Sequence, residues 1–138
     1  MFVALNRRQN TVSWICQLAA AVILGQTLFF KFTGAEESVY IFSALGVEPW
    51  GRYLTGTLEL VTVILLLRPK TAAAGAVLGA GLMAGAIMSH LTTLGIEVYA
   101  DGGLLFILAV TTLLCCATVA WLRRSAIPLV GNWIAARS

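Results

Sequence analysis

Four long apolar stretches constrain the fold of this chain more than any other feature. They cover residues 12–32, 50–67, 71–96 and 104–122, and the charged residues cluster between them. A helix rises about 1.5 Å per residue, so each stretch is long enough to cross the roughly 30 Å hydrocarbon core of a bilayer. Helices are favoured over barrel strands because the apolar residues are continuous and do not alternate with polar ones. The sequence therefore predicts an all-α integral membrane protein, an antiparallel bundle of four transmembrane helices.

The charge distribution predicts an orientation and a compartment. Seven basic residues fall at one end of the predicted bundle: Arg7, Arg8, Arg68, Lys70, Arg123, Arg124 and Arg137. Because cytoplasmic loops carry an excess of Lys and Arg, we expect an inner-membrane protein with both termini in the cytoplasm. This asymmetry also accounts for the net charge of +3, which points to anionic lipid head groups and not to nucleic acid.

The connections between the stretches are unequal in length. Pro69 marks a minimal turn that makes the second and third helices antiparallel neighbours. The connection over 33–49 is longer, and residues 36–45 read either as a short amphipathic helix across the outer mouth of the bundle or as an unstructured tether. We expect one transmembrane domain over 1–124 and an interfacial tail over 125–138, which alternatively docks on a partner.

Polar residues recur at one estimated depth in all four helices. Glu59 lies seven residues after Arg52, and His90 lies seven residues before Glu97. Other polar residues at similar distances from the helix ends are Gln26, Thr111 and Thr112. At about 1.5 Å per residue this predicts a polar layer roughly 10 Å below the outer boundary, capped by Lys31 and Arg52.

Glu59 needs a partner or a proton at such a depth. An unpaired carboxylate is strongly disfavoured as an anion there, so Glu59 is either protonated or paired with His90, Lys31 or Arg52. A pair that only fixes the helix register and a site that binds a ligand or exchanges protons both remain open. A cavity reaching Glu59 and His90 would favour a ligand site, whereas tight packing would favour a structural pair.

The third stretch is rich in small residues. Gly75 with Gly79, and Gly81 with Gly85, form two pairs that let a neighbouring helix approach closely. Packing within the chain and homo-oligomerisation are both compatible with this pattern.

Thiol, metal and haem chemistry are not expected. The chain has no Cys-x-x-Cys motif, and its three cysteines are Cys16, Cys115 and Cys116. The last two are adjacent on one helix, and adjacent helical cysteines do not form a normal disulfide. The single histidine shares its helix with Met83 and Met88, which argues against axial haem ligation within one chain.

Several short motifs resemble one family of small membrane proteins. They are GQTLFFK at 25–31, FSALG at 42–46, GTLE at 56–59 and AGAIMSH at 84–90. Their order and spacing are similar to those of the DoxX family of four-helix membrane proteins, over roughly 17–122. The resemblance implies a polar signature at Lys31, Glu59 and His90. The family takes its name from a subunit of a thiosulfate:quinone oxidoreductase, and relatives are linked to membrane redox complexes or act in receptor assembly.

Two functions follow from these observations. The first is an accessory subunit of a membrane redox system that binds a quinone or a similar lipophilic ligand at the polar layer. Because the chain has no flavin motif, cluster ligands or thiol pair, its electrons would come from a redox protein partner, and the isolated chain is not expected to be an enzyme. The second is a membrane assembly or client-binding protein in which the same layer is structural. A proton-coupled transporter would require oligomerisation.

Overall fold

The chain is helical throughout the part that the structure describes. This computed structural model describes residues 4–137, apart from the side chains of 128–131, and no strand occurs within that range. The helices are Arg7–Thr33 (α1), Glu36–Ala44 (α2), Trp50–Leu66 (α3), Ala72–Ser89 (α4), Leu104–Leu122 (α5) and Pro128–Arg137 (α6). A π-helical turn, His90–Leu94, extends α4, and a 3-10 turn, Arg124–Ala126, precedes α6.

Three helical segments are long and apolar enough to cross a membrane. They are Arg7–Thr33, Ala72–Leu94 and Leu104–Leu122. The remaining predicted span is α3, which is shorter at 17 residues. The prediction of an all-helical protein with membrane-spanning helices is therefore confirmed for three candidate spans.

Helix α1 begins earlier than the apolar pattern predicts. Its first residue is Arg7, because Asn6 caps the helix. The Asn6 side chain accepts a hydrogen bond from the Gln9 backbone N–H, and the Gln9 side chain accepts one from the Asn6 backbone N–H. The helix ends at Thr33 and is followed by Gly34, whose φ of +69° is in the left-handed region that glycine adopts without strain. Polar residues 7–11 thus extend the helix beyond its apolar part.

The tail forms a helix of its own. Helix α6 covers most of the predicted tail 125–138, and Trp133 is exposed on it. Ser138 of that tail and residues 1–3 of the predicted domain lie outside the described residues. The division at residue 124 and the interfacial position of the tail stay predictions.

The four long helices pack as a ring of neighbours. Helix α1 contacts α3 and α5, and α4 contacts the same two helices. Gln17 contacts Leu66 and Lys31 contacts Glu59, so α1 and α3 run in opposite directions. We call the end that carries Arg123 and the α3–α4 turn the basic end, and the opposite end the α2 end.

Glycines set the distance between α4 and its neighbours. A Cβ on Gly75 would lie 2.7 Å from the Cβ of Leu65, and one on Gly79 would lie 2.8 Å from the Sγ of Cys116 and 3.1 Å from Thr62. Only glycine permits helices to pack this closely. Packing within the chain therefore uses the first of the two glycine pairs. The second pair, Gly81 and Gly85, would meet nothing within 4 Å.

Helix α2 lies across part of the bundle end opposite the basic end. Its Phe42 is buried, whereas Tyr40 is exposed and stacks 5.3 Å from the Tyr99 ring. The Tyr99 hydroxyl donates a hydrogen bond of 2.9 Å to Glu36. The segment predicted as a short helix or a tether is therefore a helix that contacts α1, α3 and the π-helical turn.

Candidate functional site

The centre of the candidate site is an ion pair between α1 and α3. The Lys31 ammonium lies 3.1 Å from Oε2 of Glu59, and the Thr27 hydroxyl, which lies 2.8 Å from the Leu24 carbonyl, shares its proton with the same Glu59 oxygen at 3.1 Å. Glu59 is only 4% exposed. Because a buried carboxylate is costly unless it is paired and hydrogen-bonded, these two contacts permit Glu59 to exist as an anion. Of the three partners predicted for Glu59, the structure selects Lys31.

Local sequence explains how α1 reaches Glu59. Thr27 and Lys31 are four residues apart and therefore share one helix face. Opposite them, Gly56 leaves room for Phe32, since a Cβ there would lie 3.1 Å from the Phe32 ring. Gln26, which the sequence placed in the polar layer, is exposed. It is one residue from Thr27, and a rotation of about 100° per residue turns it away from α3.

Arg52 secures the end of α1. Its Nε donates a 2.8 Å hydrogen bond to Glu48, and its Nη1 donates to the backbone carbonyl of Lys31. The side chain is 5% exposed, and its guanidinium lies 4.5 Å from the centre of the Tyr53 ring. Arg52 therefore pairs with Glu48 and reaches the Glu59 site only through the backbone of Lys31.

His90 makes a separate contact at the end of α4. Its Nδ1 lies 2.8 Å from the Gly95 carbonyl oxygen, and its ring centre lies 5.6 Å from that of Phe106. A carbonyl only accepts hydrogen bonds, so Nδ1 carries the proton and a neutral ring keeps Nε2 as an acceptor. His90 thus ties the π-helical turn to the following loop.

Glu59 and His90 lie at different depths. Gly75 of α4 packs against Leu65 of α3, and Gly79, one turn further along α4, packs against Thr62. The next turn of α4 therefore brings Met83 near the level of Glu59 on α3. His90 is seven residues beyond Met83, which is roughly 10 Å nearer the α2 end. This register places His90 nearer the α2 end than the common layer expected from the sequence, and that layer stays a prediction. Counting from helix ends does not give this register, because α4 and its π-helical turn extend beyond α3.

The two predicted threonines of α5 differ in their surroundings. Thr111 is exposed, and its hydroxyl donates a 2.8 Å hydrogen bond to the Ile107 carbonyl. Thr112 is 0% exposed, and its hydroxyl has no hydrogen-bond partner among the described residues. Gly79 of α4 contacts Cys116 of α5. One helical turn nearer the α2 end, Met83 follows Gly79 on α4 and Thr112 precedes Cys116 on α5, so Thr112 lies at the level of Met83 and of Glu59. Thr112 therefore belongs to the predicted level, and Thr111 faces away from it.

The loop between α4 and α5 has its own polar contacts. Burial alone would raise the pKa of Asp101, but hydrogen bonds from the backbone N–H groups of Leu105, Val98 and Gly103, together with nearby His90, lower it below its usual value. These bonds hold a carboxylate beside the first backbone N–H groups of α5, where the helix dipole favours a negative charge. The Glu36 carboxylate accepts a hydrogen bond from Tyr99 and raises the pKa of that phenol.

A second buried polar cluster lies at the basic end. Ser13 and Gln17 are both 0% exposed, and Gln17 donates a 2.7 Å hydrogen bond to the Leu66 carbonyl. Arg123 donates from Nε to Ser13 at 2.8 Å and to Gln17 at 3.1 Å. Sequence reasoning did not identify the contacts of Ser13 and Arg123. The four-residue spacing of Ser13 and Gln17 was the available signal.

The three cysteines are free thiols within the apolar helices. Cys16 of α1 and Cys115 of α5 interact with each other, and both pack against the apolar core as free thiols. Sequence reasoning did not identify this contact between helices. Among the residues described, no group of three or more His, Cys, Asp or Glu side chains could hold a metal ion.

Two cavities lie at the basic end, away from the ion pair. The larger, of about 290 Å³, is lined by residues that include Asn10, Lys70 and Arg123. The smaller, of about 150 Å³, is lined by residues that include Gln9 and Arg124. Neither cavity is lined by Glu59 or His90.

Comparison with known proteins identifies the family. A family model described as the DoxX-like family matches residues 15–112, which is more than two thirds of the 138-residue chain. No curated protein and no solved structure matches this chain. The matched range includes the Lys31–Glu59 pair, His90 and Thr112. The chain therefore belongs to the DoxX-like family.

Proposed function

We propose that this protein is a non-catalytic assembly or client-binding component of the inner membrane. In this proposal α3 is a fourth span, the helices form an antiparallel transmembrane bundle, and the basic end with both termini faces the cytoplasm. The Lys31–Glu59 pair joins α1 to α3 and is structural. The observation that carries the proposal is the occupied state of Glu59, whose Oε2 already accepts contacts from Lys31 and Thr27.

The burial of Glu59 supports a structural ion pair. A lipophilic ligand needs a cavity with a few converging polar groups. The two cavities lie at the basic end, whereas Glu59 is 4% exposed. His90, the other expected contact, is about 10 Å nearer the α2 end and is bonded to Gly95. One small head group would not readily contact both side chains.

The outward face of α4 supports a role in binding another transmembrane helix. Gly75 and Gly79 pack within the chain, but Gly81 and Gly85 are exposed and would tolerate a Cβ without contact. Small residues on an uncovered helix face let a second helix approach closely in a bilayer. We propose that this face contacts the helix of a client.

Site-specific photo-crosslinking in the membrane tests this role. A photoreactive amino acid is placed at Gly81, and the control is placed at Leu114, which is 63% exposed on α5. The Gly79–Cys116 contact places the two positions at nearly the same depth. We expect a discrete crosslinked protein from Gly81 only. Crosslinks from neither position, or equal crosslinks from both, would contradict a client face on α4.

A quinone-binding accessory subunit is the second candidate. The observation that favours it is the 15% exposure of the Lys31 side chain, whose ammonium has three N–H donors. A quinone carbonyl accepts such a hydrogen bond, and a redox partner protein would supply the electrons. No cofactor would be covalently bound.

Mass spectrometry of co-purifying lipophilic molecules separates the two candidates. The protein is extracted gently, and wild type is compared with Lys31→Met and Glu59→Gln. The structural proposal predicts bulk lipid alone in all three samples and lower thermal stability in both variants. Enrichment of a quinone that both substitutions abolish would overturn the structural proposal in favour of the accessory subunit.

A further inference from the structure

The larger cavity at the basic end has the lining of an anion site. Its polar groups come from Asn10, Lys70, Arg123 and Ser125, and its apolar walls come from Ala4, Leu5, Pro69 and Ala126. Two of these side chains carry a positive charge, and no carboxylate lines the cavity. The site lies at the opposite end of the helices from the Lys31–Glu59 pair and is independent of the function proposed above.

Within the described part of the chain, Arg123 donates its hydrogen bonds to neutral groups. Its Nε donates to Ser13 and Gln17, and its Nη2 donates a 3.1 Å hydrogen bond to Asn10. Within residues 4–137, no carboxylate lies at ion-pairing distance from this guanidinium. Burial lowers the pKa of Arg123, as expected for a cation that has lost water without gaining an anion. A bound anion would restore the missing counter-charge.

The positions of the acidic residues along the chain also indicate that Arg123 lacks a counter-charge. None of the six acidic residues lies in the segments that form the basic end: Glu36, Glu37, Glu48, Glu59, Glu97 and Asp101. They are in α2, in α3 or just before it, or in the loop before α5. Among the described residues, Lys70 and Arg123 thus have no carboxylate partner, and their positive charges are available to an anion from outside the chain.

We propose that this cavity binds the phosphodiester head group of an anionic phospholipid. Arg123 and Lys70 contact the phosphate, since guanidinium and ammonium groups are the usual phosphate donors. Leu5 and Pro69 contact the glycerol and the first part of the acyl chains. The cavity lies where α1 and α5, both candidate membrane spans, reach the basic end. A lipid phosphate is present at that level of a membrane, and the apolar walls would be of no use to a free phosphate ion.

The chain offers a matched pair of variants for the test. Lys70 and Arg68 are exposed basic residues two positions apart in the α3–α4 turn, but only Lys70 lines the cavity. Neither replacement disturbs the Ser13–Gln17–Arg123 contacts, whereas replacing Arg123 would. The measurement is the dissociation constant of phosphatidylglycerol in phosphatidylcholine nanodiscs, obtained by native mass spectrometry for wild type, Lys70→Gln and Arg68→Gln.

We expect Lys70→Gln to weaken phosphatidylglycerol binding about tenfold, the effect of losing one charge-assisted hydrogen bond to the phosphate. Arg68→Gln should change it less than twofold. Equal weakening by both variants would mean diffuse surface attraction and would overturn the proposal, as would no change in either.

Inorganic phosphate provides a second arm of the test. Added to wild type in pure phosphatidylcholine nanodiscs, it should leave the Tm unchanged. If phosphate raises the Tm of wild type but not of Lys70→Gln, the occupant is a soluble phosphate and the lipid proposal is overturned.

Discussion

Replacing Thr112 with valine should stabilise the protein. The Thr112 hydroxyl is fully buried and has no hydrogen-bond partner among the described residues. Burying a hydroxyl without a partner costs about 1–3 kcal/mol. Valine has nearly the same shape, so it fills the same space and removes this cost. We expect the free energy of unfolding to rise by about 1 kcal/mol or more.

Thr62 provides the matched control for this prediction. It is also 0% exposed, but its hydroxyl donates a 2.8 Å hydrogen bond to the Leu58 carbonyl. Thr62→Val should therefore lower the free energy of unfolding by about 1 kcal/mol. Both variants are unfolded by denaturing detergent in mixed micelles and followed by circular dichroism. If Thr112→Val is destabilised as much as Thr62→Val, the Thr112 hydroxyl has a partner in the membrane and the reasoning is refuted.

Two further predictions concern helix packing and pH. Gly75→Ala should destabilise the protein by about 1–3 kcal/mol through overpacking against α3, whereas Gly81→Ala, which meets nothing within 4 Å, should be neutral or slightly stabilising in the same unfolding assay. Equal losses would contradict the packing described for α4. Asp101→Asn should cost about 1 kcal/mol, because the amide cannot accept the Leu105 N–H bond that Oδ2 accepts. The folded pKa of Asp101 is below its usual 3.8, so the advantage of wild type should be full above that pH and should disappear as the pH falls through the folded pKa. Unfolding of both proteins across this range measures it, and an advantage that grows at low pH would contradict the assigned contacts.

Much of the helix layout could be predicted from apolar length alone. Helix α5 occupies the predicted range 104–122, and α3 ends one residue before the predicted 67. Helix starts were less predictable where a cap lies outside the apolar segment. The capping box of Asn6 and Gln9 begins α1 at Arg7, five residues before its apolar part. Hydropathy does not reveal a capping box, because the box is a pattern of hydrogen-bonding side chains.

The sequence predicts a buried polar site around Glu59, but it identifies only some of the residues that form it. Glu59 and Lys31 could be named because an intramembrane carboxylate requires a nearby cation. The choice between Gln26 and Thr27 depends on helix rotation, which depth counting ignores. The depth of His90 could not be read from the sequence, because the relative height of two helices depends on their contacts, here those of Gly75 and Gly79 with α3 and α5.

The polar cluster at the basic end shows what sequence reasoning lacks. Arg123 is 110 residues from Ser13, and 106 from Gln17, yet it bonds to both. Nothing local in the sequence links positions that far apart. The positive charge at this end was predictable, but the cavity beside it depends on tertiary packing.

A double-mutant cycle on Lys31→Met and Glu59→Gln tests the central claim most directly. If the pair joins α1 to α3, each single variant should lose about 2–3 kcal/mol of unfolding free energy in lipid, somewhat less than a fully buried pair because Lys31 is 15% exposed. The double variant should then lose at least 1 kcal/mol less than the sum of the two single losses. Single variants as stable as wild type, or losses that simply add, would contradict a structural ion pair.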